Sequence, residues 1–337
     1  MRGKGISYDT GFLNGVTTTH EPFDPDVVQR EMRVIRDDLH CDVVRVTGGD
    51  PERLEIAARH AADLGMAVWF SPFTYQLTPE EMLELLADCA DRAERLRQRG
   101  AEIVLVTGAE LSLFNRGFLP GDTSEERIDV LLKRHPRLPE LMAELPARIN
   151  EFLGRAVRVV RERFGGKVSY ASIPFEGVDW TPFDVVSVDL YRTSEVADQF
   201  VEGVRSLVAQ GKPVAITEFG CCTYRGASAR GARGGEIVEW DGPHPVRLTG
   251  DYARDEAEQA AHLRELLDIF TEEGVDTAFV YTFANYHLPH RDDPREDLDL
   301  ASYGVVRVFE DRRGVAYPDM AWEPKAAFGV VADYYRD

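Results

Sequence analysis

Two apolar runs of this 337-residue chain meet a carboxylate at their ends: 102-EIVLVTGAE-110 closes on Glu110, and 213-PVAITEFG-220 carries Glu218. Burying an unpartnered carboxylate is costly, so an acid ending a strand-like run points to a place where the strand opens into a cleft. Two such acids facing each other can divide their work. Desolvation keeps one protonated, while neighbouring donors hold the other ionised. That division serves general acid–base and nucleophilic chemistry on a polar substrate.

The elements that must position this pair repeat along the chain. Short runs rich in Val, Ile, Phe and Tyr fall at 4–9, 42–48, 66–73, 102–110, 167–174, 184–191, 213–220 and 276–283. Helical patterns fall at about 25–39, 51–64, 78–99, 145–164, 194–210, 252–273 and 323–335, with only a short segment near 178–183 after the fifth run. Thr78-Pro79-Glu80-Glu81 reads as a helix start, and Gly65, Gly100, Gly165 and Gly274 read as stops. Eight alternating strand and helix units predict a (β/α)8 TIM barrel, a single domain over 1–337, with its functional groups at the C-terminal ends of the strands. A dinucleotide-binding open sheet is disfavoured, because 9-DTGFLNGV-16 lacks the GxGxxG spacing. The long connections at about 111–144, 221–251 and 284–322 all follow strands, so in a barrel they wall one face.

The strand ends then supply the candidates. They are Tyr8 and Asp9, Arg45, Trp69 and Ser71, Glu110, Glu176 just past the fifth strand, Asp189 and Tyr191, Glu218, and Tyr281, Phe283 and Asn285. Strands four and seven lie on roughly opposite sides of an eight-stranded barrel, so Glu110 and Glu218 can face each other across its mouth. In glycoside hydrolysis a carboxyl separation of about 5–5.5 Å accompanies retention of configuration and about 6.5–9.5 Å accompanies inversion.

The pattern resembles clan A of the glycoside hydrolases, a superfamily of (β/α)8 barrels. The segment 215-AITEFG-220 resembles the strand-seven nucleophile motif, and 105-LVTGAELS-112 occupies the strand-four acid/base position. Arg45 matches an arginine after strand two, and Tyr191 a tyrosine that bonds the nucleophile. The closing 302-SYGVVRV-308 and 323-EPKAAFGVVADYY-335 resemble the end of such barrels. The resemblance implies Glu218 as nucleophile and Glu110 as acid/base in a retaining reaction, with Arg45 and Tyr191 orienting Glu218. Trp69, Tyr75 and Phe283 would offer flat faces to a sugar ring, and Asp9, Glu176 and Asn285 would contact hydroxyls. Two positions depart from the pattern. Ala109 stands where many members carry an asparagine that reads the sugar 2-hydroxyl, and no tryptophan ends strand eight.

The remaining features bound the function. With 59 acidic against 39 basic residues the formal charge is −20, which repels nucleic acid and anionic membranes. No apolar run suits a signal sequence or a membrane span, which favours a cytoplasmic protein. Cys41, Cys89, Cys221 and Cys222 lack paired zinc spacing and read as reduced thiols. The histidines of 287-HLPH-290 lack a metalloprotease context, so no metal is expected, and no cofactor is implied. The glycine-rich basic run 225-RGASARGARGG-235 reads as a mobile lid or a solvated loop. The expected partner is a small-molecule or oligosaccharide substrate. Two alternatives keep the barrel: an acid/base lyase, isomerase or cyclase acting on a small biosynthetic molecule, and a non-catalytic carbohydrate-binding barrel.

Overall fold

The computed structural model describes residues 1–14, 17–133 and 135–336. The eight expected runs form strands β1 (Gly3–Asp9), β2 (Val43–Gly48), β3 (Ala67–Pro72), β4 (Ile103–Ala109), β5 (Lys167–Ala171), β6 (Val186–Asp189), β7 (Val214–Phe219) and β8 (Thr277–Val280). They read as near-continuous apolar runs because both faces are covered. Val44, Val46, Val68, Phe70 and Leu105 face the surrounding helices. Alternate residues Val43, Trp69, Val104, Val106, Ala215 and Phe279 fill the barrel. The ladders are parallel in the order 5-4-3-2-1-8-7-6. Between β5 and β6 the ring closes through a Ser172–Val188 bridge and the Asp189 N–H, which donates to the Ser172 carbonyl at 2.8 Å. This is the (β/α)8 architecture expected from the repeat.

The outer layer comprises α1 (Pro25–Asp37), α2 (Pro51–Asp63), α3 (Pro79–Gln98), α4 (Leu138–Arg161), α5 (Ala197–Val208), α6 (Glu256–Glu272) and α7 (Ala326–Arg336). The first three share one start, a side-chain cap followed by proline: Asp24-Pro25, Asp50-Pro51 and Thr78-Pro79. Thr78 and Glu81 complete a reciprocal capping box. After β5 only a 3₁₀ turn, Pro174–Glu176, forms. None of the described helices is long and apolar enough to cross a membrane.

One boundary differs from the sequence expectation. α4 starts at Leu138 rather than near 145 and runs through Pro146. Proline removes one i−4 hydrogen bond and disfavours the helix by about 3 kcal/mol. Leu141 and Leu145 before it and Ile149, Phe152 and Leu153 after it are all buried, and that burial outweighs the lost bond.

A buried carboxylate ties the first helix to the mouth of the barrel. Glu31 of α1 accepts from the hydroxyls of Tyr8 and Tyr286 and from the Trp322 indole N–H at 2.8 Å. No cation among the described residues is bonded to it, so burial pushes its carboxyl up from 4.5 to about 7 despite the three donors. A carboxyl raised in the folded state stabilises the fold fully below its unfolded pKa and loses that contribution as pH rises through the folded value. Glu31 should therefore withdraw up to about 3 kcal/mol of stability as pH rises from 4.5 through about 7. Urea unfolding on either side of that window, in wild type and Glu31→Gln, measures this. An identical pH dependence in the two proteins would remove Glu31 as its source.

Candidate active site

Glu218 lies near the end of β7 and is fixed from two directions. Its Oε1 accepts from Arg45 Nη1 at 2.7 Å, and its Oε2 accepts from the Tyr191 hydroxyl at 2.9 Å. Arg45, inside the barrel on β2, is fully buried and also donates to Ser71 Oγ at 3.1 Å and to the Thr217 carbonyl at 3.2 Å. The guanidinium is thus held by three strands before it reaches the carboxylate, which limits the rotamers open to Glu218.

Glu110 follows β4 in a different way. Its backbone is left-handed, φ 45° and ψ 43°, at the head of the short helix Leu111–Phe114. A non-glycine residue there costs about 1–3 kcal/mol and persists only where its surroundings impose it. Those surroundings are visible. The Glu110 N–H donates to the Ala171 carbonyl at 3.0 Å, and the Leu111 N–H donates to the Tyr170 hydroxyl oxygen at 2.9 Å. The Ser112 N–H and hydroxyl donate to Glu176 Oε1 at 3.0 and 2.7 Å. Glu176 Oε2 in turn accepts from Tyr170 at 2.7 Å and Ser172 at 3.2 Å. Glu176, expected at the mouth as a hydroxyl contact, is instead fully buried with both oxygens occupied. It acts as a bracket that holds the turn of Glu110, because the 3₁₀ turn after β5 folds its side chain back under the strand ends.

Above this pair lies a cavity of about 310 Å³, lined by Glu110, Glu218, Tyr191 and Asn285 among the expected residues. Arg45 sits behind Glu218 and reaches the site only through it. Four further expectations are corrected. Asp9 is buried and occupied with its own loop, accepting from the Gly11 N–H at 2.6 Å and the Thr19 hydroxyl at 2.7 Å. Trp69 packs inside the barrel on Phe279. Phe283 is core, packed against Tyr8 and Trp322. Tyr75 bonds Ser124 away from the lining. Asp9, Phe283 and Tyr75 are strand-end or loop residues whose direction depends on connections that sequence periodicity does not encode, whereas Trp69 lies within β3 and points inward with the strand's alternation.

Other residues take their places in the lining. Tyr303, His287 and Trp240 face the cavity, beside the strand-end candidate Tyr281 just past β8. Trp240 belongs to a hairpin, Val238–Asp241 with His244–Leu248, inside the long connection after β7. Its only sequence signal was an isolated tryptophan past the glycine-rich run. That run is a fixed wall: the Tyr303 hydroxyl donates to the Gly231 carbonyl at 2.7 Å and accepts from the Gly234 N–H at 3.1 Å. A Cβ on Gly234 would stand 2.8 Å from Cys222 Sγ, so the close approach requires glycine. All four cysteines are free and buried, and Cys222 donates to the Ala301 carbonyl at 3.0 Å.

No family model and no curated protein matches the sequence. Solved structures do match the fold. A GH113 β-1,4-mannanase superposes over the whole of both chains with a TM-score of 0.63 at 16% identity. A β-glucuronidase from Parabacteroides merdae matches all of this chain and 38% of its own, TM-score 0.59, at 14% identity. A GH2 β-galacturonidase from Eisenbergiella tayi, bound to galacturonate, matches 99% of this chain and 51% of its own, TM-score 0.55, at 18% identity. The fold shared with these structures is a (β/α)8 barrel. The chain spans about a third to a half of the two larger proteins and the full length of the mannanase.

Within this barrel a third carboxylate stands beside the pair. Asp189 ends β6 opposite Glu218 in register, and neither of its oxygens accepts a hydrogen bond from the described residues. One oxygen each from Glu110, Asp189 and Glu218 lie within 4.8 Å of one another. By spacing alone the three could coordinate a cation, yet the Arg45 guanidinium already supplies positive charge there. Three anions against one cation is an unfavourable balance in a desolvated place, and protons restore it. Burial, then Asp189 and Glu218, hold the Glu110 carboxyl well above the usual carboxylate range. Burial and Glu218 do the same to Asp189, against the pull of Arg45. Asp189→Asn removes one negative neighbour and should lower the Glu110 pKa, read as the carboxyl ¹³C titration of labelled Glu110. An unmoved titration would mean that Asp189 is neutral throughout.

Proposed function

We propose that this protein is a retaining glycoside hydrolase in which Glu218 is the nucleophile and Glu110 the acid/base. The observation that carries this reading is the separation of the two carboxylates. One oxygen of each lies within 4.8 Å of one of the other, a close approach of the kind that the retaining geometry of about 5–5.5 Å between carboxyl groups requires. The asymmetry of their surroundings assigns the roles. Glu218 has a guanidinium and a phenol as donors, while Glu110 has no cation bonded to it among the described residues and stays protonated.

The chemistry follows from that asymmetry. A Glu218 oxygen attacks the anomeric carbon as the bond to the departing oxygen breaks, and Glu110 gives that oxygen its proton. The products of this half are the free alcohol and a glycosyl ester on Glu218. Glu110, now ionised, takes a proton from water, whose oxygen displaces the ester and restores both carboxyls. Arg45 and Tyr191 disperse the charge that returns to Glu218 on ester cleavage. Tyr281 and Trp240 offer ring faces in place of the tryptophan absent from strand eight, and Asn285 offers an amide. That the fold's neighbours include a mannanase and two uronic-acid glycosidases supports the reading and puts β-linked mannosides and uronides first among trial substrates.

Aryl glycosides of these sugars provide the test. Glu110→Ala and Glu218→Ala should each lose about 10²–10⁴-fold in turnover. Azide should rescue Glu110→Ala with a glycosyl azide of the substrate's configuration, and Glu218→Ala with one of the opposite configuration. Tyr191→Phe should lose about tenfold or more in kcat, the value of a hydrogen bond to a charged group. A folded protein that turns over none of these substrates would instead favour acid/base chemistry on a molecule lacking the 2-hydroxyl, the reading to which Ala109 lends weight.

A further inference from the structure

The cavity holding Glu110 and Glu218 is not the largest at this end of the barrel. A second one of about 850 Å³ adjoins it, and the two share Thr19 and His287 as common walls. Small-molecule sites span roughly 300–1,000 Å³, so the first cavity lies at the lower limit, suited to one ring, and the second has room for more. The hairpin after β7 spans both. Its Val238 and Trp240 line the first cavity, and His244 and Pro245 line the second.

Trp240 is half exposed, at 50%, whereas Trp69 and Trp322 are buried and Trp180 packs on Phe183. Its ring stands 6.3 Å from that of His287, the residue between the cavities. Burial lowers the His287 pKa to about 4, so its ring is neutral, and its Nδ1 is buried without a partner among the described residues. The hairpin carrying Trp240 is anchored at its base. The Leu248 N–H donates to the Arg295 carbonyl, Arg295 Nη2 donates to the Leu248 carbonyl, both at 2.8 Å, and the Thr249 N–H donates to the Ile237 carbonyl at 2.8 Å. An exposed indole on an anchored support is a preorganised ring-stacking surface.

The charge lining the second cavity narrows the ligand. Arg291 is paired with Glu310 through two bonds of 2.8 and 2.9 Å. Arg312 lies over the Phe309 ring at 4.3 Å and 3.7 Å from Asp292, and Arg313 donates to the Asp319 carbonyl. Arg313 has only that carbonyl among the described residues, but Glu21, Asp24, Glu31, Glu310 and Asp311 outnumber the three arginines of the lining, a balance that disfavours an anion. Tyr286, Phe309 and Trp322 contribute aromatic wall between these polar groups. Their faces are already taken, Tyr286 by His20 stacked at 3.6 Å and Phe309 by Arg312, so this wall presents mainly polar, hydroxyl-bonding groups, which suit an uncharged, hydroxyl-rich chain of rings.

We propose that the second cavity is a set of sugar-binding subsites, with Trp240 as the stacking platform at its junction with the carboxylates, and that the ligand is a neutral saccharide of at least two rings lying across both. This rests on the glycosidase reading of Glu110 and Glu218, and it extends that reading to the size and charge of the substrate.

Binding to Glu218→Gln protein, followed by calorimetry and tryptophan fluorescence, separates the two claims. The probes are β-1,4-linked manno- and gluco-oligosaccharides from the monosaccharide to the hexasaccharide. Affinity should rise at least about tenfold from one ring to three, with a change in indole emission. Trp240→Ala should remove about tenfold of that gain, and Trp240→Phe should keep most of it. The exposure of Trp240 keeps folding out of the comparison, and circular dichroism checks it. Affinity independent of length, a gain untouched by Trp240→Ala, or no binding by either series overturns the subsites. Turnover of aryl monosaccharides with length-independent binding would reject the subsites alone. Length-dependent binding without any turnover would reject the hydrolase reading alone.

Discussion

A guanidinium buried inside a barrel is the constraint on which the rest of the site depends. Arg45 cannot lose its proton and has no solvent around it, so the strands near it must supply acceptors. Ser71 from β3, the Thr217 carbonyl from β7 and the Glu218 carboxylate provide them for Nε and Nη1, while Nη2 is buried without a partner among the described residues. A buried ion pair of this kind is weak evidence for stability, because desolvation offsets much of the Coulomb gain. Its value lies in position. Once Arg45 is fixed by β2 and its neighbours, Glu218 has one place in which its charge is compensated, and Tyr191 closes the other side.

Glu110 is held by the opposite strategy. No cation among the described residues is bonded to it; its backbone is placed in an unfavourable region, and the network beneath it makes any other conformation costlier. Glu176, Tyr170, Ser172 and Ser112 form that network, in which every hydrogen bond to Glu176 is internal. The two acids therefore differ in how they are held, one tied to the barrel through its side chain and the other through its main chain. Asp189 stands beside both with its own carboxyl held up by burial, and of the three only Glu218 is bonded to Arg45 among the described residues.

Much of this was legible in the sequence, for physical reasons that also mark where reading stopped. Strands covered on both faces are apolar at nearly every position, a pattern that few elements of that length share. Barrel topology then puts their C-terminal ends on one side, which is why Glu110, Glu218, Tyr191 and Asn285 meet at one cavity with Arg45 behind Glu218. The failures concern direction. Asp9, Glu176 and Phe283 are at or near strand ends, yet each turns down or sideways to satisfy a loop or the core. Asp189 was visible as a strand-end acid, but its lack of partners among the described residues is a property of the assembled barrel. Trp240 could not be ranked, since nothing local in a glycine-rich connection tells whether a hairpin will return to the mouth.

The divergence of the pocket walls from the barrel follows from the same division of labour. The strands fix the carboxylates to within a hydrogen bond, so the residues that meet the ligand can come from loops of free length and composition. The aromatic faces illustrate this. The sequence places no tryptophan at the end of β8, and the space is framed by Tyr281 from that strand, Tyr303 from the connection beyond it and Trp240 from the connection after β7. These rings also hold the walls together: Tyr191, Tyr281 and Tyr303 meet edge to face with centroids 5.7–6.4 Å apart, and Tyr303 anchors the glycine-rich run. Tyr191 thus links the hydrogen bond to Glu218 with the packing of two loops. A change in either loop reaches Glu218 through that ring, so the shape of the cavity and the orientation of this carboxylate are coupled in this barrel by one tyrosine.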